Sequence, residues 1–137
     1  MIYAVIDTNV FVSALLSRNS DAATVQVVGA IAEGGVCPLY NQEIIAEYED
    51  VLRRPKFGFP PKAIDAILNT VLAIGLYTDR VHSSEHFSDA DDIVFYEVAL
   101  SKEDAYLVTG NTKHFPRTPI VVTPTEMVEI LRNKQLL

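Results

Sequence analysis

The chain reads as an α/β protein built on a parallel sheet with helices on both faces. Apolar strand-like runs alternate with helical patterns from end to end, the order that a parallel sheet with crossover helices produces. The runs Ile2–Ile6, Ala105–Thr109 and Ile120–Val122 are short and continuously apolar, the form expected when both faces of a sheet are covered. The first of these stops abruptly on Asp7, and a helical pattern begins at once. In such a fold, that is the carboxyl tip of a strand, where open parallel sheets place their ligands.

Taken in order, strands are expected at Ile2–Ile6, Val36–Leu39, Leu76–Thr78, Ala105–Thr109 and Ile120–Val122. Helices are expected near Val10–Ser17, Ala22–Glu33, Glu43–Leu52, Pro61–Leu72, Asp91–Lys102 and Thr125–Lys134. Gly34, Gly35 and Gly75 supply helix stops. The stretch from Arg54 to Pro61 is a loop, because its prolines and glycine do not continue a helix. There is no repeat, low-complexity tract or dividing linker, so residues 1–137 are expected to form one domain.

Composition narrows the class of function. The chain is 49% apolar and only 21% charged, which excludes a disordered chain, and no run approaches the ~20 apolar residues of a membrane span. The first residues enter the fold too directly for a signal peptide, and the lone Cys37 forms no internal disulfide; together these point to the cytoplasm. A net charge of −7 argues against a passive nucleic-acid binder, whose surface is normally basic. A metal-dependent nuclease is the exception, because bound cations reverse the field of its carboxylates.

Four groups of residues carry candidate chemistry. Asp7 is poorly explained by packing, although Asp or Thr8 also makes a good helix cap. In Glu43–Leu52, the residues Ile44, Ile45, Tyr48, Val51 and Leu52 form an apolar stripe. Glu47 and Glu49 border that stripe on its two edges, with Asp50 further out, and periodicity does not choose among them. In Asp89-Ala-Asp91-Asp92, an acid at the cap and another three residues on resemble a capping box. Three carboxylates in four residues nevertheless repel one another, an excess that a bound cation explains. Thr109-Gly110-Asn111 is an ordinary turn that places more oxygen ligands at a second strand tip. Oxygen donors without His or Cys suit Mg²⁺ or Mn²⁺. His82 and His86 have the spacing of a helical zinc pair but lie in a polar loop.

In these segments the chain resembles PIN-domain proteins, in particular the bacterial and archaeal branch described as toxins of toxin–antitoxin pairs (VapC-like). The likeness rests on Val5-Ile-Asp-Thr-Asn-Val10, Glu47–Phe57, Asp89–Asp92 and Leu107-Val-Thr-Gly-Asn111, in that order and spacing. It implies a three-layer α/β/α sandwich with a central five-stranded parallel sheet, and a Mg²⁺- or Mn²⁺-dependent ribonuclease. It implies metal ligation by Asp7, by Glu47 in preference to Glu49, and by Asp92 with Asp89 beside it. Asn9 and Thr109 would orient ligands or water, and Ser13 would face the same cleft or serve as a plain helix residue. Where many relatives end the fourth motif on Asp, this chain has Asn111, a carbonyl donor without charge. The expected partners are single-stranded or structured RNA, a cognate antitoxin and a second copy of the chain.

Arg53, Arg54 and Lys56, with Lys113, His114 and Arg117, are the candidate phosphate contacts. Two other α/β families also carry an acid after the first strand. Haloacid-dehalogenase phosphotransferases need a second acid where this chain has Asn9, and receiver domains need an early acidic pair that is absent despite Asp79. The stronger alternative is a PIN-fold module with weakened or lost catalysis that acts through protein or RNA binding. The amphipathic helices Ala22–Glu33 and Glu43–Leu52 would offer its partner peptide an apolar groove.

Overall fold

The structure, a computed structural model, describes residues 1–137 as a three-layer α/β/α sandwich. The strands are β1 (Ile2–Ile6), β2 (Val36–Tyr40), β3 (Leu76–Tyr77), β4 (Tyr106–Val108) and β5 (Val121–Val122). All pairs are parallel, in the order β3-β2-β1-β4-β5. Six helices flank the sheet: α1 (Thr8–Leu16), α2 (Ala23–Ala32), α3 (Gln42–Leu52), α4 (Pro61–Ile74), α5 (Ala90–Leu100) and α6 (Pro124–Asn133). Because β2 and β3 lie on one side of β1, and β4 and β5 on the other, the winding reverses between β1 and β4. A crevice outside the carboxyl ends of those two strands is where such sheets bind ligands.

The central strands owe their form to burial on both faces. Ala4, Val5, Ile6, Leu39, Leu107 and Val108 are wholly inaccessible to solvent. One apolar cluster of 30 residues draws on every helix and on every strand except β3. α5 is buried along the whole run Val94–Ala99, which explains why its sequence lacks a polar stripe. α6 shows the opposite pattern, with Met127, Val128 and Leu131 inward and a Thr123/Glu126 capping box fixing its start.

The element boundaries differ from expectation by small shifts with local causes. α1 begins at Thr8, directly after the strand, rather than at Val10. α4 continues past Leu72 to Ile74, where Gly75 stops it. β4 narrows to three residues and β3 to two, because only those residues have ladder partners. β3 is short for a further reason. Tyr40 accepts from the Thr78 N–H, so Pro38, two residues earlier, also faces β3 and has no N–H to give. An unanticipated 3-10 turn, Thr112–His114, follows β4.

Gly34 meets the expected role of a helix stop through its positive φ of 89°. Gly75 acts differently, since its φ is an ordinary −72°. A Cβ there would lie 2.6 Å from the Pro38 carbonyl oxygen and closer still to that of Val71. The absent side chain lets the end of α4 touch β2. Gly75→Ala is expected to cost about 1–3 kcal/mol in urea unfolding, as overpacking does. Gly29→Ala in α2, where a Cβ meets nothing within 4 Å, should instead gain about 0.5–1 kcal/mol.

Candidate active site

Asp7 stands at the N-cap of α1, yet its carboxylate makes no cap hydrogen bond. It turns across the sheet instead. Asp7 Oδ2 accepts from Thr109 Oγ1 at 2.7 Å and from Asn9 Nδ2 at 3.1 Å. The same turn is bound twice more: Gly110 N–H donates to Asn9 Oδ1 at 3.2 Å, and Asn111 N–H to Thr109 Oγ1 at 3.0 Å. The tips of β1 and β4 are thus joined by side chains where their ladder ends. Asp7 is 7% exposed, and burial raises its pKa. Hydrogen bonds from Thr109, the Thr8 backbone and Asn9, and the charge of His114, pull the other way.

Glu47 reaches this end of the sheet because its neighbour Tyr48 is locked in place. Tyr48 is fully buried, and its hydroxyl donates to the carbonyl of Ile6, the residue before Asp7. Its ring meets Phe11 of α1 edge-on at 5.0 Å and lies 6.2 Å from Phe95 of α5. Glu47 is half-buried, whereas Glu49 and Asp50 are exposed. Burial raises the pKa of Glu47, and the charges of Asp91, Asp50 and Asp89 raise it further against the pull of Arg54.

Asp89 behaves as a cap, with Oδ1 accepting from the Asp91 N–H at 2.9 Å. Asp92 does not complete a capping box. Its Oδ2 is buried without a hydrogen-bond partner, and His114 Nδ1 stands 3.6 Å away. Burial, then the charges of Asp7 and Asp89, push the Asp92 carboxyl up to about 6, despite the pull of His114. Asp92 therefore feels the charges of Asp7 and Asp89, and Glu47 those of Asp91 and Asp89. Asp91, the third carboxylate of the acid-rich turn, is exposed, and its charge acts on Glu47. Asn111 is exposed beside the Thr109 turn, and Ser13 is exposed without a place in these bonds.

The segment before α5 is held by a buried acid that the sequence reading missed. Glu97 is 4% exposed and takes Arg80 Nε and Nη2 at 2.7 and 2.6 Å on Oε1, and the Ser83 N–H at 2.6 Å on Oε2. Arg80 Nη1 also reaches Glu43 at 2.7 Å, on the first turn of α3. Burial of Glu97 opposes its charge, but these hydrogen bonds win and lower its pKa. One charge inside the apolar run Ile93–Leu100 was the available signal. The clamp ties together the two helices that carry the acids.

The flanking cations differ in availability. Arg53 pairs with Asp65 of α4 at 2.7 Å and Arg54 with Asp50 at 3.0 Å, while Lys56 and Lys113 are exposed. His82 and His86 are exposed in the 81–87 segment. Of the two helices expected to offer an apolar groove, α2 lines one and α3 does not. That groove lies beside α4, lined by Phe11, Val28, Ile31, Ala66, Ile67 and Val71, with a volume of about 160 Å³.

Carboxylates at the switch point of a parallel sheet are hard oxygen donors, the kind that divalent cations prefer. A family model, that of the PIN domain, matches residues 3–113, and the chain belongs to that family, whose fold is generally a nuclease fold. No curated protein matches the chain. As they stand, no three acid, His or Cys side chains close tightly enough to hold a metal ion. The residues nevertheless fit one chemically. The donors are carboxylates, and the orphaned Asp92 Oδ2 is an oxygen that a cation would satisfy.

Two predictions follow from this geometry. Tyr48→Phe should lower stability by about 1–3 kcal/mol in urea unfolding through the unsatisfied Ile6 carbonyl, whereas Glu49→Gln on the exposed face stays within about 0.5 kcal/mol. For Asp92, a carboxyl raised in the fold to about 6 is ionised in the unfolded chain first. Metal-free stability should therefore fall as pH rises from about 4 to about 6, by about 1–3 kcal/mol. Asp92→Asn should shrink that fall to the part contributed by Asp7 and Glu47, whose carboxyls are also raised, and Mn²⁺ should raise Tm more at pH 7.5 than at pH 5 in the native protein. A flat native profile would sink this account of Asp92.

Proposed function

We propose that the chain is a Mg²⁺- or Mn²⁺-dependent endoribonuclease that serves as the toxin of a toxin–antitoxin pair. The observation that carries the nuclease reading is the buried Asp92 Oδ2 without a hydrogen bond, on a carboxyl that feels the charges of Asp7 and Asp89, with Glu47 feeling that of Asp89. Family resemblance supports the toxin role and a cytoplasmic site of action with a cognate antitoxin.

In this reading Asp7, Glu47, Asp89 and Asp92 hold the ion, which when bound activates water and offsets charge on the phosphate. Asn9 and Thr109 keep the Asp7 carboxylate aimed, the orienting role that metal ligands require. Asn111 offers a neutral carbonyl beside them. Arg54 and Lys56 hold RNA phosphates at the rim. Arg53 joins them by leaving Asp65, at small cost because an exposed ion pair contributes little.

Asn111 favours a second reading. Without the charge that many relatives carry there, the fold could be kept as a binding module with weakened catalysis. Cleavage of a mixed-sequence single-stranded RNA in Mn²⁺ separates the two. The nuclease reading expects metal-dependent cutting, lost by at least about 100-fold in Asp7→Asn and enhanced in Asn111→Asp. Activity found only after Asn111→Asp favours the module, and no cutting by either protein removes the nuclease.

A further inference from the structure

The cations of this acidic chain are not spread evenly. Four of its 11 Lys and Arg residues, Arg53, Arg54, Lys56 and Lys62, fall within residues 53–62, which contain no acid. Two phenylalanines are interleaved with them. Gly58, at a φ of 63°, turns the chain between Phe57 and Phe59 so that their rings stack at 5.1 Å with planes 7° apart.

The two rings have different surroundings. Phe59 packs against the main core. Phe57 is half-buried and belongs neither to that core nor to the apolar side chains packed around it. Its neighbours are the Phe59 ring and Lys56, whose Nζ lies 5.1 Å from the Phe57 centroid. The loop follows α3 directly, and Arg54 pairs with Asp50, one turn along that helix from Glu47.

We infer that Phe57 is a stacking platform for an unpaired base of single-stranded RNA, with Lys56 and Arg54 taking the adjoining phosphates. The inference rests on the nuclease reading and adds the form of the substrate. A ring backed by a second ring is a rigid surface; the exposed Lys56 ammonium lies over it, and a stacking base would displace that ammonium towards its own phosphate. Every base has a π-face, so the platform selects strandedness rather than sequence. Duplex RNA keeps those faces stacked inside and gains nothing from it. Arg54 is held by Asp50 in an exposed pair, which a phosphate can replace.

The test is fluorescence anisotropy with a short labelled RNA, single-stranded or as a duplex of the same sequence, in an Asp7→Asn background that prevents cutting. Phe57→Leu keeps an apolar side chain without a π-face, and Phe57→Trp restores the face. Phe57→Leu should weaken single-strand binding by about 5- to 100-fold, Phe57→Trp should keep it, and duplex affinity should stay within about two-fold. Equal single-strand affinity in Phe57→Leu, or equal losses for both forms of RNA, overturns the platform alone. A background protein that binds neither form removes the nuclease reading as well.

Discussion

The arrangement of the site depends on one buried hydroxyl. Tyr48 donates to the carbonyl of Ile6, and the residues adjoining that bond are Glu47 on one side and Asp7 on the other. A buried phenol must find an acceptor, so the bond fixes how far along the sheet α3 is placed. Phe11 and Phe95 hold the same ring from α1 and α5. Three helices are thereby registered on a single side chain at the tip of β1. Burial, with the charge of Asp7 beside it, raises the Tyr48 pKa, which keeps the hydroxyl protonated and donating.

Around that point the fold gathers negative charge and supports it unevenly. Asp7 has two side-chain donors and Asp89 a backbone one, whereas Asp92 has a histidine at 3.6 Å and no hydrogen bond on Oδ2. The Glu97–Arg80–Glu43 clamp keeps α5 and α3 together against this repulsion. Removing charge from Asp92 relieves strain, whereas removing Arg80 would strand a buried Glu97. The same residue type is a liability at one end of α5 and a fastening in its middle.

Most of the architecture was legible because its signals are local. Continuous apolar runs marked β1 and β4, and Gly34 marked the end of α2. The acid at the strand tip was equally visible, but whether Asp7 caps a helix or faces a cleft depends on Thr109, 102 residues away. Periodicity left Glu47 and Glu49 tied, and only the docking of Tyr48 sets one inward. Arg80 and Glu97 were missed for the same reason, since each gains its role from a partner on another element. Gly75 stops its helix as its position suggests, but through the space it leaves beside Pro38, which depends on a distant strand.

Pro38 carries a consequence for the molecule in company with others. By withholding a donor from β3 it leaves that edge two residues long, and β5 at the opposite edge is equally short. Leu76 and Tyr77 are exposed on β3, the composition of a strand that invites another chain to add on. A ladder of two residues offers too few groups to template such growth. The missing hydrogen bond in the sheet thus acts as a guard against aggregation at high protein concentration.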